Sequence, residues 1–527
     1  MRQLGTWLPF IIGLSIGAGI LLGTQLGTRP VLRSNAEAYD KIKAVLSYVE
    51  ANYVDTVNTE KLTDMTLEDM LQHLDPHSDY FTAEQTKAMS EPMQGNFEGI
   101  GIEYNFVRDT LVVMAVIPNG PSEKAGLKTG DRIVRANDTL MIGKNANEKF
   151  IRQRLRGPKD TKVKLKIRRS GKKELFDVTV TRGSVPIYSV EGSYMLNSTV
   201  GYIKLDRFAE TSYNEFMKAT KTLLEQGMKK MVLDLRGNGG GYLTAATSIA
   251  DEFLSEGKLI VYTNGRVDGE EKIYATKTGL LETTPLVILV DENSASASEI
   301  LAGAIQDNDR GTIIGRRTFG KGLVQEEKRL NDGSAFRLTI ARYYTPTGRS
   351  IQKPYDKGIE AYAADEVNRY NHGELVNADS IKFPDSLKFK TPGGKTVYGG
   401  GGIMPDVFIP LDTSGGSTLL NNLFYKDIFT IWSLAYAEQH NAELIKMGLK
   451  NYRRNFVITD ALVNELFSTG AANGVARNEV QLKRSNTLIK KYMKAAVARN
   501  TWGDAGYLQS WNDDDKFLEA AVTELDR

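Results

Sequence analysis

Pro285-Leu-Val-Ile-Leu-Val-Asp291, followed two residues later by Ser294-Ala-Ser296-Ala-Ser298-Glu-Ile300, is the stretch that decides the fold. Its first seven residues form a short apolar run, the pattern of a strand buried on both faces of a parallel sheet. Residues 295 to 308 then read as a helix, which puts the serines at a strand-to-helix junction. A hydroxyl at such a junction lies beside unpaired backbone N–H groups that can stabilise an oxyanion. The chain has four histidines and no cysteine, so a nucleophile system built on either has little to draw on. A lysine base fits instead, and Phe319-Gly-Lys321-Gly-Leu-Val-Gln325 supplies the candidate. The residues point to a serine–lysine hydrolase.

This pair of segments resembles the carboxy-terminal processing peptidases, or tail-specific proteases, of serine peptidase family S41. Further stretches match in the family's order: Leu74-Asp-Pro-His-Ser78, Phe97-Glu-Gly-Ile-Gly-Ile-Glu103, Asp234-Leu-Arg-Gly-Asn-Gly-Gly-Gly241, Tyr344-Thr-Pro-Thr-Gly-Arg-Ser-Ile-Gln352 and Gly401-Gly-Ile-Met-Pro-Asp406. Each alone is weak, but the ordered set is specific and covers residues 36 to 412. The resemblance implies an α/β core of the crotonase/ClpP-like peptidase type, an inserted β-rich PDZ domain, and helical N- and C-terminal regions. It also implies Ser296 as nucleophile, Lys321 as general base and Gln325 as the residue that orients the lysine. The expected divisions are 1–33, 34–95, 96–184, 185–412 (with a polar, irregular insertion at 355–398) and 413–527.

A chain of 527 residues exceeds what one core supports, and 41% hydrophobic with 25% charged residues is ordinary globular composition. Its net charge of +2 gives no reason to expect nucleic acid. Without cysteine there are no disulfides, no thiolate metal sites and no lipoprotein anchor. Clustered His, Asp and Glu spacing is also missing, so neither metal nor cofactor is expected. Gln3 to Thr28 carries no charge and is mostly apolar, long enough to span a bilayer. An uncleaved anchor is expected; a cleaved signal peptide and a buried soluble helix are its rivals. By resemblance, the catalytic part lies outside the cytoplasmic membrane, in the periplasm or extracytoplasmic space of a bacterial envelope.

Ile42, Val45, Leu46, Val49 and Tyr53, and then Leu67, Met70, Leu71 and Leu74, recur at helical spacing. Core packing is the expectation for both sets, with a partner-binding arm as the alternative; helices of this kind can dimerise in the family, so a homodimer is possible. Residues 96 to 184 switch to short strand-like runs split by turns. Pro118-Asn-Gly-Pro-Ser-Glu-Lys-Ala-Gly-Leu-Lys-Thr-Gly-Asp131 resembles the PDZ module, which adds a peptide strand to a sheet edge and holds a terminal carboxylate on backbone N–H groups. Gly99 and Gly101 would let the backbone approach that carboxylate, while Ile100 and Ile102 line the pocket for the last apolar side chain. The plain alternative is a turn whose isoleucines are core. Beyond 412, one helix is expected from Leu419 to Leu434 and another from Val480 to Val497.

Lysine at its ordinary pKa is charged at neutral pH and accepts no proton, so a catalytic Lys321 must be desolvated. Phe319, Leu323 and Val324 can supply a dry wall, and an extended 322–326 segment puts Lys321 and Gln325 on one side. Ser294, as an N-cap, and Ser298, as a helical serine, are rivals to Ser296; twenty-five residues separate Ser296 from Lys321, the family's spacing. Asp234-Leu-Arg-Gly-Asn-Gly-Gly-Gly241 has Gly239 where the family has proline. By resemblance Gly240 joins Ala297 in the oxyanion hole. Asp234 and Arg236 read as a structural ion pair, Asp75-Pro-His77-Ser78 as a helix-ending turn. Arg156 is a candidate link between module and core. The expected activity is endoproteolysis of protein or peptide substrates with a free C-terminus, through an acyl-enzyme. A membrane-tethered peptide-binding scaffold with an inactive core is the rival.

Overall fold

The computed structural model describes residues 36–107, 110–143, 147–276 and 278–527. The segment expected to anchor the chain, Gln3 to Thr28, lies outside them. Among the described residues no helix is long and apolar enough to cross a membrane. The described residues divide into two units between Met70 and Leu71. In the first, α1 (Ala36–Asn52) and most of α2 (Thr59–Gln72) are helical as their periodicity predicts. The apolar face of α1 is open, against the expectation of core packing, with Ile42 and Val45 exposed, whereas Leu71 of α2 is buried as expected. Periodicity sets which residues share a face, not what covers it.

The second unit opens with β1 (Asp79–Phe81) and α3 (Ala83–Gln94). β2 (Asn96–Gly99) then leads into a five-stranded path of β3 (Ile102–Val107), β4 (Thr110–Val116), β5 (Arg132–Ala136), β7 (Lys162–Arg168) and β8 (Phe176–Thr181), with β6 (Thr139–Leu140) paired to β5. Helix α4 (Glu148–Leu155) buries Ile151 and Leu155 in the core of this module. β3 is an edge strand of its sheet. The outgoing β9 (Gly183–Pro186) pairs antiparallel with β2, so the module's two ends meet.

The central layer of the second unit is a six-stranded sheet in the order β10 (Val190–Met195), β11 (Val200–Leu205), β12 (Lys230–Asp234), β15 (Leu286–Val290), β16 (Thr312–Gly315) and β21 (Val407–Phe408). All its pairings but β10–β11 are parallel. Every residue of β15 is buried, which is why its sequence is one apolar run. Leu286, Ile288 and Val290 face a core shared with α5 (Ser212–Glu225), α6 (Leu243–Asp251) and α7 (Ala297–Asp307). Val287 and Leu289 face the other side, where Leu508, Leu518 and Ala521 of the C-terminal region cover the sheet. A second, antiparallel sheet runs β1, β18 (Ala335–Tyr344), β13 (Leu259–Gly265) and β14 (Gly269–Tyr274), with β17 (Leu323–Arg329) paired to β18.

Two expectations need correction. The insertion is not irregular: it holds α8 (Ile359–Ala363), α9 (Asp365–Asn371) and a hairpin of β19 (Lys388–Lys390) with β20 (Thr396–Tyr398). Beyond 412 the expected single helix is two, α10 (Thr418–Tyr425) and α11 (Ile428–Asn455), broken where Asp427 takes a left-handed conformation. α12 (Asp460–Ala472), α13 (Glu479–Trp511) and α14 (Lys516–Leu525) follow, α11 and α13 being interrupted at Gly448 and Gly503. Asp515, the N-cap of α14, pairs with Arg236 at 2.8 Å, and Phe517 lies under the guanidinium of Arg236 at 4.6 Å and that of Arg316 at 5.4 Å.

Candidate active site

Ser296 stands at the N-cap of α7 with φ 56° and ψ −113°, a sparsely populated conformation for a residue with a side chain. Such strain costs about 1–3 kcal/mol and persists only where surrounding bonds over-determine it. Here they do. Its N–H donates to Glu299 Oε2 at 2.8 Å, and its carbonyl accepts from the N–H of Glu299 and Ile300 and from the Tyr343 hydroxyl.

The three serines separate by their partners. Ser294 and Ser298 are fully buried, and their hydroxyls donate to the carbonyls of Leu235 and Asn238, each at 2.8 Å. Both tie the serine turn to the glycine loop. The Ser296 hydroxyl is only half-buried and takes part in the capping box of α7, facing the N–H of Glu299.

Asn238 is the hub of the glycine loop. Its carbonyl receives Ala295 N–H and Ser298 Oγ, and its amide donates to Leu205 O at 2.9 Å. Gly240 sits against the serine at φ 102°; a Cβ there would fall 2.8 Å from Ser296 Cβ and 2.7 Å from Ala295 O, so only glycine fits. Its N–H, expected to face an oxyanion, donates to Asn238 Oδ1 at 2.9 Å. The Ala297 N–H, first of α7, has no acceptor among the described residues. Behind the loop, Arg236 grips the fully buried Asp234 in the ion pair expected from the sequence. Burial alone would raise the Asp234 pKa; the charges of Arg236 and Lys204 outweigh it and hold the carboxyl below its usual range.

Lys321 Nζ donates to Gln325 Oε1 at 2.9 Å, so these two side chains do meet. The Gln325 amide in turn donates to the carbonyl of His77, which fixes which end of the amide faces the lysine. Burial, helped by the charge of Arg337, lowers the lysine to about 8 against the pull of Glu299 and Asp75. No hydrogen bond joins the Ser296 hydroxyl to Lys321 Nζ. Their backbones are joined instead. Glu299 Oε2 accepts the N–H of both Ser296 and Lys321, at 2.8 and 2.9 Å, while Oε1 takes Gly320 N–H and Thr318 Oγ1. The Tyr343 hydroxyl, with one proton to give, lies within hydrogen-bond reach of the carbonyls of the same two residues. Burial pushes Glu299 up to about 7, with its four donors pulling it back down.

Sequence reasoning missed Glu299, Tyr343, Asn238 and the His77 carbonyl. Only Glu299 carried a signal, the Ser-x-x-Glu spacing of a capping box. The Asp75–Ser78 segment is a turn, as expected, yet it supports the site: Asp75 accepts the N–H of His77 and Ser78, and Thr339 Oγ1 from β18.

Gly99, Ile100, Gly101 and Ile102 lie elsewhere, on the module, where β2 passes to edge strand β3. Gly101 is left-handed at φ 74°. Ile100 is buried in the module core, as the plain-turn alternative had it, and Ile102 packs partly buried against the same core. Arg156, the C-cap of α4, pairs with Glu91 of α3 and stacks over Phe97 at 4.4 Å.

The profile of peptidase family S41 matches residues 199–361 and that of the PDZ domain residues 99–180; a family of unknown function (DUF8443) matches 419–503. A carboxy-terminal-processing protease of Bartonella bacilliformis is 35% identical over 348 residues, covering 65% of this chain and 79% of its own. The carboxy-terminal processing protease CtpA of Bacillus subtilis is 34% identical over 342 residues, covering 65% of this chain and 72% of its own. The chain belongs to the carboxy-terminal processing proteases of family S41. As a member of that family it is a serine endopeptidase carrying a PDZ domain. Among solved structures, a photosystem II D1 C-terminal processing protease aligns at 27% identity with TM-score 0.35, over 71% of this chain and 88% of that one.

Proposed function

We propose that this processing protease cleaves by a Ser296–Lys321 dyad and selects substrates by their C-terminal tail. Neutral Lys321, held by Gln325, takes the Ser296 proton as the hydroxyl attacks the peptide carbonyl; the lysine then returns that proton to the leaving amine, and water releases the acyl-enzyme. The Ala297 N–H receives the oxyanion, joined by Gly240 once its N–H leaves Asn238. Backbone N–H groups of the Gly99–Ile102 loop hold the tail carboxylate, and the tail adds as a strand to the free edge of β3. The observation that carries this reading is the shared clamp, in which Glu299 and Tyr343 bind the backbone of nucleophile and base alike.

Cleavage of a peptide with a free carboxyl end by the fragment from residue 34, wild type beside Ser296→Ala, tests the dyad. Full loss is expected; substantial cleavage by Ser296→Ala, with Ser298 intact, sinks the assignment and leaves the scaffold reading. The same peptide amidated at its C-terminus tests the tail reader, and equal cleavage of both forms refutes it.

The five divisions given above, the membrane anchor at Gln3–Thr28 and an extracytoplasmic catalytic part complete the proposal. A mature N-terminus found between Gly17 and Asn35 overturns the anchor in favour of a signal peptide. The exposed apolar face of α1 supports pairing with a second copy. Val45→Asp should shift a dimer to monomer in sedimentation, and an unchanged mass overturns the pairing.

A further inference from the structure

The insertion folds back on the loop that delivers Lys321. Arg369 of α9 is 4% exposed, and its guanidinium donates to the carbonyls of Thr318 at 3.1 Å and Arg317 at 2.6 Å. The same guanidinium pairs with Glu374 at 2.7 Å, and Glu374 also takes both ends of Arg317, at 2.6 and 2.8 Å. On α8, the Tyr362 hydroxyl lies 2.7 Å from His77 Nε2, and the Tyr362 ring meets Phe319 edge-on at 6.0 Å. Lys353 closes the group, its Nζ 3.9 Å above the Phe319 ring and 3.1 Å from Asp365. His77 is thus held at three points: its ring by Tyr362, its N–H by Asp75, its carbonyl by Gln325.

We propose that the insertion at 355–398 is a brace for the general base, with Tyr362 and Arg369 as its positioning residues. Tyr362 fixes His77, whose carbonyl aims Gln325 at Lys321; Arg369 fixes the two carbonyls that lead into the Phe319-Gly-Lys321 turn. The proposal rests on the reading of Ser296 and Lys321 as the reacting pair. Covering apolar surface alone would call for an apolar side chain, because a buried guanidinium is costly unless its donors are all met. Arg369 instead gives one donor to Glu374 and two to main-chain carbonyls, and the latter contacts set geometry whatever side chains the loop carries.

The His77 ring in this brace does not switch with pH in the working range. Burial first, then the charges of Lys321 and Lys353, push His77 down to about 4 against the pull of Asp75, so its ring stays neutral. The charged groups facing Lys321 are Arg337, Glu299 and Asp75, none of them in the insertion.

The test compares full-length wild type, Tyr362→Phe, Arg369→Lys, Gln325→Ala, the Tyr362→Phe/Gln325→Ala double variant and Lys321→Ala on one peptide substrate. Tyr362→Phe removes a single oxygen and keeps the ring, so folding is preserved and a thermal melt checks it. Tyr362→Phe and Arg369→Lys are each expected to lower kcat about tenfold with KM within about twofold of wild type, the scale of one hydrogen bond. In the Gln325→Ala background, Tyr362→Phe is expected to add nothing, because its effect runs through Gln325. Wild-type kcat in both single variants, a loss carried by KM, or multiplicative losses in the double variant each overturn the brace. Lys321→Ala separates the two readings: wild-type cleavage there sinks the base assignment itself, whereas its inactivity beside fully active Tyr362 and Arg369 variants sinks the brace alone.

Discussion

The proposed Ser296–Lys321 dyad and the proposed tail-reading loop at Gly99–Ile102 are built in opposite ways. Around the dyad, main-chain donors and acceptors are tied down twice over, by Glu299 from one side and Tyr343 from the other, and a strained serine is the result. The module's loop leads instead into an edge strand with no neighbour on one side in its own sheet. Chemistry needs reacting atoms held within fractions of an ångström. Reading many different tails needs an edge that accepts any backbone, with specificity left to one or two pockets. Rigidity here belongs to the bond-breaking end and openness to the recognition end.

The strongest way to break this comparison is to strike the pinned pair. Ser296→Ala and Lys321→Ala should each reduce kcat by about 10⁴-fold or more, and the double variant should add little, because the two act as a unit. Lys321→Arg should fail equally, since arginine stays protonated. With Lys321 at about 8, cleavage by wild type should rise with pH and level off above that value. A flat profile from pH 6 to 9 would show that the lysine is not the base.

Gly240→Ala comes next. Its Cβ would press on Ser296 Cβ and Ala295 O, and the loop must shift to relieve it. A loss of about 10²–10³-fold in kcat with little change in KM is expected, comparable to removing one oxyanion donor or displacing the site by an ångström.

Lys321→Met sharpens the comparison by asking what the pinned geometry costs. A buried lysine with a lowered pKa destabilises the fold, fully below about 8 and not at all above its unfolded value of 10.5. The variant should therefore be inactive yet more stable at pH 7, by roughly 3 kcal/mol at most, with the gain fading as pH rises between those limits. Denaturant melts at pH 7 and pH 10 check it, and an equal gain at both overturns the argument.

Gly101→Val should give the smallest effect. At φ 74° a β-branched residue is strained, and its side chain would crowd Pro121 and Val185. Tail affinity should fall about tenfold, the loss of one charge-assisted hydrogen bond, while a substrate lacking a free carboxylate is cleaved as before. Unchanged affinity by titration calorimetry would show that the loop does not read tails.

Much of this was legible in the sequence because it was local. β15 announces itself as an apolar run, the serine turn follows at once, and Gln325 lies four residues from Lys321. What stayed hidden were contacts between main chain and distant side chains. Asn238 holding Gly240, Tyr343 bridging two carbonyls and His77 offering its carbonyl to Gln325 have no side-chain pattern to betray them. The insertion looked irregular because its helices are only five and seven residues long, too short for periodicity to register. On α1 the pattern was plain, but it does not tell whether the face it marks is covered.

The pairing of β2 with β9 sets Gly99 directly opposite Gly183. Everything the module adds therefore leaves and rejoins the peptidase within a single rung of one ladder. Exchanging residues 100–182 for another module with closely spaced ends would reseal the chain at one rung, and the new module would also have to replace the packing of Val112 on Leu434 and the pairing of Glu103 with Arg499.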